Sequence, residues 1–186
     1  MPYKYYIIAV FVLLFNLAEA KYRIKPSFGM HGIDFYLGHA QIPQVAKDLF
    51  NQKIQPTDDN EVLGLMDSIF TENNETRPFY FLTLTLTMDR ADGSYSEPLG
   101  IMTKRFVEEH TVEFVRYFTY ESLLTNKQLT QWSKSVASEI MIEWEGKERS
   151  ELKKVRQVLT RNCNSCSKIE KKTLKTFLKK LEEHLL

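Results

Sequence analysis

The residue types best suited to chemistry in this sequence are its two cysteines, in the run Cys163-Asn164-Ser165-Cys166. Such a Cys-x-x-Cys pair can form a disulfide, act as a redox dithiol or supply half of a zinc site. In an oxidising compartment we expect the first of these, a structural disulfide that staples the link between two helices. Because the loop it closes is so short, its stabilising contribution is small, about 2 kcal/mol or less.

The redox and metal alternatives are less well supported by their surroundings. Cys163 and Cys166 precede a predicted helix, whose positive N-terminal end would lower a thiol pKa. A thioredoxin-like dithiol, however, follows a strand, whereas here a helix is predicted to precede the pair. Tetrahedral zinc needs two further ligands. The four histidines show no paired spacing: His31, His39, His110 and His184. We therefore predict no metal and no cofactor.

A second polar group has the residue types of a carboxylate-bridged metal helix, but not the order. Glu108, Glu109, His110 and Glu113 would need the spacing Glu-x-x-His, present twice; instead Val107 stands at the position where a glutamate belongs. We expect this group to form an exposed polar helix face. Nucleophile elbows, phosphate loops, dinucleotide fingerprints and zinc-protease motifs do not occur in the sequence. The sequence favours a protein that is not an enzyme.

Positive charge is concentrated at the C-terminal end. Residues 147–186 contain twelve Lys or Arg and five Glu, a net charge of +7, whereas residues 21–146 carry a net −6. A basic amphipathic helix can lie on an anionic membrane or bind an acidic partner. The simpler alternative is a solvated face whose lysines neutralise the acidic remainder of the domain. Six lysines form this basic face: Lys168, Lys171, Lys172, Lys175, Lys179 and Lys180.

The first twenty residues have the three parts of a secretory signal peptide. Lys4 supplies the positive charge, residues 7–15 form an unbroken apolar run, and Ala18 and Ala20 are the small residues that a signal peptidase reads. The apolar run is half the length of about 20 residues that a membrane span needs. We predict cleavage after Ala20 and export to the periplasm or the extracellular space.

The rest of the chain has the composition of one folded domain. Of its 186 residues 43% are hydrophobic and 26% are charged, and the net charge is +1, which excludes wholesale disorder and a disulfide-dense mini-protein. Near-zero charge and the absence of a binding motif argue against nucleic acid as a partner. We divide the chain into a signal peptide (1–20), an irregular lead rich in glycine and proline (21–43) and a single helical domain (44–186).

Helical spacing of apolar residues dominates residues 44–186, and it predicts an all-α fold, an antiparallel helical bundle or a short helical stack. Residues 82–88 alternate leucine and threonine with the period of a strand, but no second strand is available to pair with them. We therefore favour a helix over residues 78–90. A long helix is predicted from Asn126 to Thr160, with Gly146 bending or dividing it. Ser167 is predicted to cap the last helix.

Three short runs carry a resemblance to known proteins: Arg-Pro-Phe-Tyr-Phe at 77–81, Asp-Gly at 92–93 and Ser-x-Pro-Leu-Gly at 96–100. Together they resemble a group of uncharacterised secreted all-helical bacterial proteins. The resemblance covers about residues 60–120 and implies a helix over residues 78–90, but it implies no activity.

From these features we expect an exported, non-enzymatic helical protein that binds a partner protein or an envelope component. Its oligomeric state is left open. The first alternative is a thiol-disulfide redox protein that uses Cys163 and Cys166. The second is a peripheral membrane-surface protein that uses its basic C-terminal helix.

Overall fold

The computed structural model describes residues 26–185, and within them the chain is mainly helical. This confirms the all-α prediction. A two-stranded antiparallel hairpin, β1 (Ser27–Phe28) and β2 (His31–Gly32), opens the described chain. The helices are α1 (Ile33–Gly38), α2 (Gln44–Phe50), α3 (Asn60–Ser68), α4 (Arg77–Thr87, continued by a 3-10 turn, Met88–Arg90), α5 (Gly93–Glu109), α6 (Thr111–Tyr120), α7 (Asn126–Glu143), α8 (Glu148–Asn162) and α9 (Lys168–Leu185). The predicted signal peptide, residues 1–20, lies outside the described residues.

The predicted irregular lead is more regular than its glycine and proline content suggests. Phe28 in β1 and Tyr36 in α1 are both fully buried, and the Tyr36 hydroxyl donates a 2.6 Å hydrogen bond to the Phe28 carbonyl. Gly29 turns the hairpin at φ +62°, and a Cβ there would approach the Pro78 side chain to 2.9 Å. Aromatic burial therefore attaches this segment to the core, which the local composition does not reveal.

Helix α4 is buried on every side. All of its residues except Leu86 are buried, so its leucine–threonine alternation does not mark a strand with one wet face. Two threonine hydroxyls bond within the helix, since Thr85 donates to the Phe81 carbonyl and Thr87 to the Leu84 carbonyl, both at 2.7 Å. The buried Thr83 hydroxyl has no hydrogen-bond partner among the described residues. The helix predicted over residues 78–90 is confirmed.

The long predicted helix is divided, and so is the helical stretch after Pro98. The helix expected from Asn126 to Thr160 breaks between α7 and α8, where Gly146 adopts φ +75°, a conformation that favours glycine. Its N-cap is Thr125, which forms a reciprocal capping box with Gln128. The stretch after Pro98 divides at His110 into α5 and α6.

The long last helix lies against the centre of the domain. Helix α9 packs most extensively on α7, then on α6, and somewhat less on its chain neighbour α8. The core beneath it is aromatic, with Trp132 fully buried, whereas Trp144 at the end of α7 is only partly buried. None of the helices between residues 26 and 185 has the length and apolar character needed to cross a membrane.

Candidate functional site: the basic groove between α8 and α9

The two cysteines form a disulfide at the turn between α8 and α9, with their Cα atoms 5.0 Å apart. Cys163 is the residue at which α8 ends, and its amide donates to the Leu159 carbonyl. Both side chains are buried, with exposed fractions of 1% for Cys163 and 7% for Cys166. The disulfide thus fixes the point at which the two helices diverge.

Besides the disulfide, side-chain hydrogen bonds fix the first turn of α9. The Ser167 amide donates to the Glu170 carboxylate at 2.6 Å, and the Glu170 amide donates to the Ser167 hydroxyl at 3.3 Å. This is a capping box, and it confirms Ser167 as the cap. The Arg116 Nε donates to the other Glu170 oxygen at 3.1 Å and ties α9 to α6. The Ser167 amide, followed by Arg116, lowers the pKa of Glu170.

Burial of both sulfur atoms bears on the redox alternative, because thiol–disulfide exchange needs an approach path to a sulfur. Replacing both cysteines, Cys163→Ser with Cys166→Ser, is expected to lower the free energy of unfolding by about 2 kcal/mol or less. Urea denaturation of the protein with and without this double substitution measures the change. If the protein is a binding module, its binding is expected to survive in the same variant. Loss of an activity in a folded double variant would instead favour the redox alternative.

A groove of about 960 Å³ runs between α8 and α9 from the disulfide turn toward the C-terminus. Its floor is apolar, formed by the exposed edges of Cys163, Leu174 and Leu178, all three of which are mostly buried. Its walls and rims are polar and predominantly basic: Arg156, Thr160 and Asn164 from the α8 side, and Lys171, Lys172, Lys175, Thr176, Lys179 and Glu182 from α9. The groove therefore combines an apolar base with cationic edges.

A smaller cavity of about 460 Å³ adjoins the groove on its α8 side. It is lined by Arg156, Gln157, Thr160, Arg161 and Asn164. Arg161 is exposed and has no ion pair with any residue from 26 to 185. The positive edge of the groove thus continues onto the outer face of α8.

Four of the six lysines predicted as a basic face line this groove, namely Lys171, Lys172, Lys175 and Lys179. Lys168 and Lys180 lie on the same helix but do not line it. The groove lysines are exposed, as expected of a solvated helix face, and among residues 26–185 none of them pairs with an acidic group of another helix. Lys179 pairs only with Glu183 of its own helix, at 3.5 Å.

Unlike Lys179, the other groove lysines have no acidic partner among residues 26–185. Lys171 donates to the Asn164 carbonyl at 2.7 Å. Among residues 26–185, Lys172 and Lys175 form no ion pair. The acidic groups near the groove are Glu182, which bonds Arg156 at 2.9 Å, and Glu183 on Lys179. The groove is therefore left with uncompensated positive charge.

The apolar stripe of α9 is buried against the core of the domain. Leu174, Phe177, Leu178 and Leu181 have exposed fractions of 5%, 0%, 8% and 0%. An interfacial helix inserts such a stripe among lipid acyl chains, and α9 would have to leave the core to do so. In the folded protein an anionic surface would meet the α9 lysines and the exposed Ile169, but not this stripe.

The sequence did not reveal the α8 wall of the groove. Arg156, Thr160 and Asn164 recur at helical spacing, but nothing in the sequence shows that this row faces α9 rather than solvent or the core. The only local signal is that each of these polar residues directly follows a residue of the apolar stripe, namely Val155, Leu159 and Cys163.

The other predicted polar group does not form the exposed face that we expected. His110 is partly buried and stacks on Phe106 with ring centroids 5.0 Å apart. Glu113 accepts hydrogen bonds from the Arg77 guanidinium at 3.0 Å and from the Tyr117 hydroxyl at 2.6 Å. His110 and Glu113 thus belong to internal contacts, whereas Glu109 is exposed, as expected, and pairs with Arg105. Residues 26–185 contain no cluster of three His, Cys, Asp or Glu side chains placed to hold a metal ion.

The fold and this site define a helical protein whose disulfide-closed helix pair presents a basic groove. No family model, curated protein or solved structure matches the chain. The groove itself is thus the basis for a functional assignment.

Proposed function

We propose that this chain is an exported, non-enzymatic binding protein that holds an anionic partner, a protein or an envelope component, in the α8–α9 groove. The observation that carries the proposal is the unpaired positive charge of Lys172 and Lys175 at the edge of a concave, apolar-floored surface. Cationic side chains without internal partners attract and orient an anionic ligand.

The proposed export rests on the sequence and on the cysteines. Residues 1–20 carry the charge, apolar run and small-residue pattern of a signal peptide. The Cys163–Cys166 disulfide suits the oxidising compartment to which such a segment leads. The mass of the exported protein would show whether the chain begins at Lys21.

A non-enzymatic role is proposed because this groove is lined by lysines and aliphatic side chains, without a nucleophile paired to a base. Cys163 lines the groove floor, but its sulfur is already bonded to Cys166. Binding, rather than bond-making, is what this set of side chains can do.

The test compares the rates at which an acetylating reagent modifies individual lysines in the exported protein where it is found and in the purified protein. A bound partner is expected to lower the acetylation rate of Lys172 and Lys175 several-fold relative to the purified protein, because it covers their amines. Lys153 on α8 and Lys168 on α9 are the internal controls, since both are exposed, have no ion pair within the described chain and lie outside the groove lining. Equal protection of all four lysines, or of none, would contradict the proposed site.

A further inference from the structure

We infer that the occupant of this groove is an acidic amphipathic helix of a partner protein. The inference rests on the proposed function and adds the class and shape of the ligand. Helices α8 and α9 offer two facing rows of side chains with an unfilled channel between them. A third helix laid into that channel would complete a three-helix packing unit.

The spacing of the charges matches a helix. Lys171, Lys175 and Lys179 stand at successive positions i, i+4 and i+8 along α9, so they repeat about every 6 Å at 1.5 Å per residue. Glutamates at i and i+4 on a helix lying alongside repeat at the same distance. The groove from Lys171 to Glu182 is about 17 Å long, or three helical turns.

The opposite wall has the same periodicity. Arg156 and Thr160 are one turn apart on α8, and Cys163 and Asn164 follow about one turn later. Between these rows lie Leu174 and Leu178, again at i and i+4. Leucines of an incoming helix at i, i+3, i+4 and i+7 would pack over this floor, while its flanking carboxylates meet the lysines.

An extended peptide fits the groove less well than a helix does. The groove walls are helices, whose backbone groups are already hydrogen-bonded, so they offer no strand edge to pair with. An extended chain lying on the apolar floor would leave its own amide and carbonyl groups unpaired. A helix satisfies these groups internally and brings only its side chains to the floor.

A membrane is the less suitable anionic partner. The groove lysines surround a concavity, whereas a bilayer meets a convex or flat face, and the apolar stripe that would enter the bilayer is buried in the core. An anionic lipid surface would therefore be held by charge alone. We treat vesicle binding as an outcome of the test.

The test uses the exported full chain with its disulfide intact and three probes. The first probe is a synthetic peptide of about 18 residues with a leucine stripe at helical spacing and glutamates on both flanks. The second has the same composition in an order that has no apolar stripe. The third is vesicles of phosphatidylglycerol and phosphatidylcholine in equal parts. Binding is followed by fluorescence anisotropy and peptide helicity by circular dichroism.

Two charge-matched variants localise the binding. Lys172→Glu with Lys175→Glu reverses charge in the groove, and Lys153→Glu with Lys168→Glu makes the same change in net charge outside it. We expect the first peptide to bind and to gain helicity, and the groove variant to weaken it about tenfold or more. The control variant is expected to change its affinity by about twofold or less, because distant surface charges are screened.

The alternative outcomes distinguish a failure of the helix inference from a failure of the proposed function. If the reordered peptide binds as tightly as the amphipathic one, or if only vesicles bind and the groove variant weakens them, the helix inference is overturned and the proposed function stands. If no probe distinguishes the groove variant from the control variant, both the helix inference and the proposed function fall.

Discussion

Replacing Phe81 by alanine is expected to lower the free energy of unfolding by about 3–5 kcal/mol, the range for deleting a buried phenylalanine ring. Phe81 is fully buried in α4. Its ring centroid lies 4.5 Å from Tyr117, 4.9 Å from Trp132 and 5.2 Å from Phe106. Because the removed ring has neighbours from several helices, the cavity left behind cannot easily collapse.

Urea denaturation, followed by the fluorescence of the buried Trp132, would measure this loss. Phe35→Ala is the matched control, since Phe35 is 38% exposed on α1 and should cost much less. Phe81→Leu conserves most of the volume and is expected to cost about 1.5 kcal/mol or less, which keeps the test open if the alanine variant does not fold. Equal losses for Phe81→Ala and Phe35→Ala would show that Phe81 does not lie at the centre of the aromatic core.

The helical fold can be predicted from this sequence because apolar spacing and capping residues agree along most of the chain. The helix of residues 78–90 shows where one rule misleads. Its period-2 pattern is that of a strand, yet α4 is surrounded by other elements, and a helix buried on all sides need not show an amphipathic period. The absence of a pairing partner was the more reliable signal.

Breaks between helices are less predictable than the helices themselves. Gly146 was a visible candidate for dividing the stretch from Asn126 to Thr160, and it does so with a positive φ. The break at His110 has no comparable sequence signal. There the ring of His110 lies 5.9 Å from the ring of Phe70, which follows α3, so a tertiary contact accompanies the turn.

The disulfide turn and the α9 side of the candidate site could be predicted from the sequence. The cysteine pair, the Ser167 cap and the α9 lysines are local features, and each was predicted from neighbours within a few residues. The groove depends on how far α8 and α9 diverge after the disulfide, and that angle is set by the packing of α9 on α7 and α6. No local pattern encodes it, so Arg156 and Thr160 could not be recognised as a wall.

The internal network around Glu113 was missed for the same reason. Arg77 is 36 positions away in the sequence and is only 7% exposed, and its guanidinium reaches Glu113 across the α4–α6 contact. The Arg77 Nε also donates to the Thr71 carbonyl at 2.6 Å. A charged residue early in a predicted helix is usually solvated, so sequence alone favoured an exposed group.

Replacing Glu113 by leucine is expected to lower the free energy of unfolding by about 3 kcal/mol, because it leaves the buried Arg77 charge without its closest carboxylate. The next carboxylate, that of Glu72, lies 3.9 Å from Arg77 and is fully exposed. The Tyr117 hydroxyl loses its acceptor as well. Glu109→Leu is the control, since Glu109 pairs with Arg105 on the exposed face of α5, where ion pairs contribute about 1 kcal/mol or less.

A double variant, Arg77→Met with Glu113→Leu, separates a missing partner from a missing side chain. With both charges removed, no buried charge is left uncompensated, and we expect this variant to be about 1–2 kcal/mol more stable than Glu113→Leu alone. Urea denaturation of the two single variants and the double variant gives the coupling energy directly. Additive losses would mean that Arg77 and Glu113 act independently, and that the contact between α4 and α6 depends on its apolar side chains rather than on this ion pair.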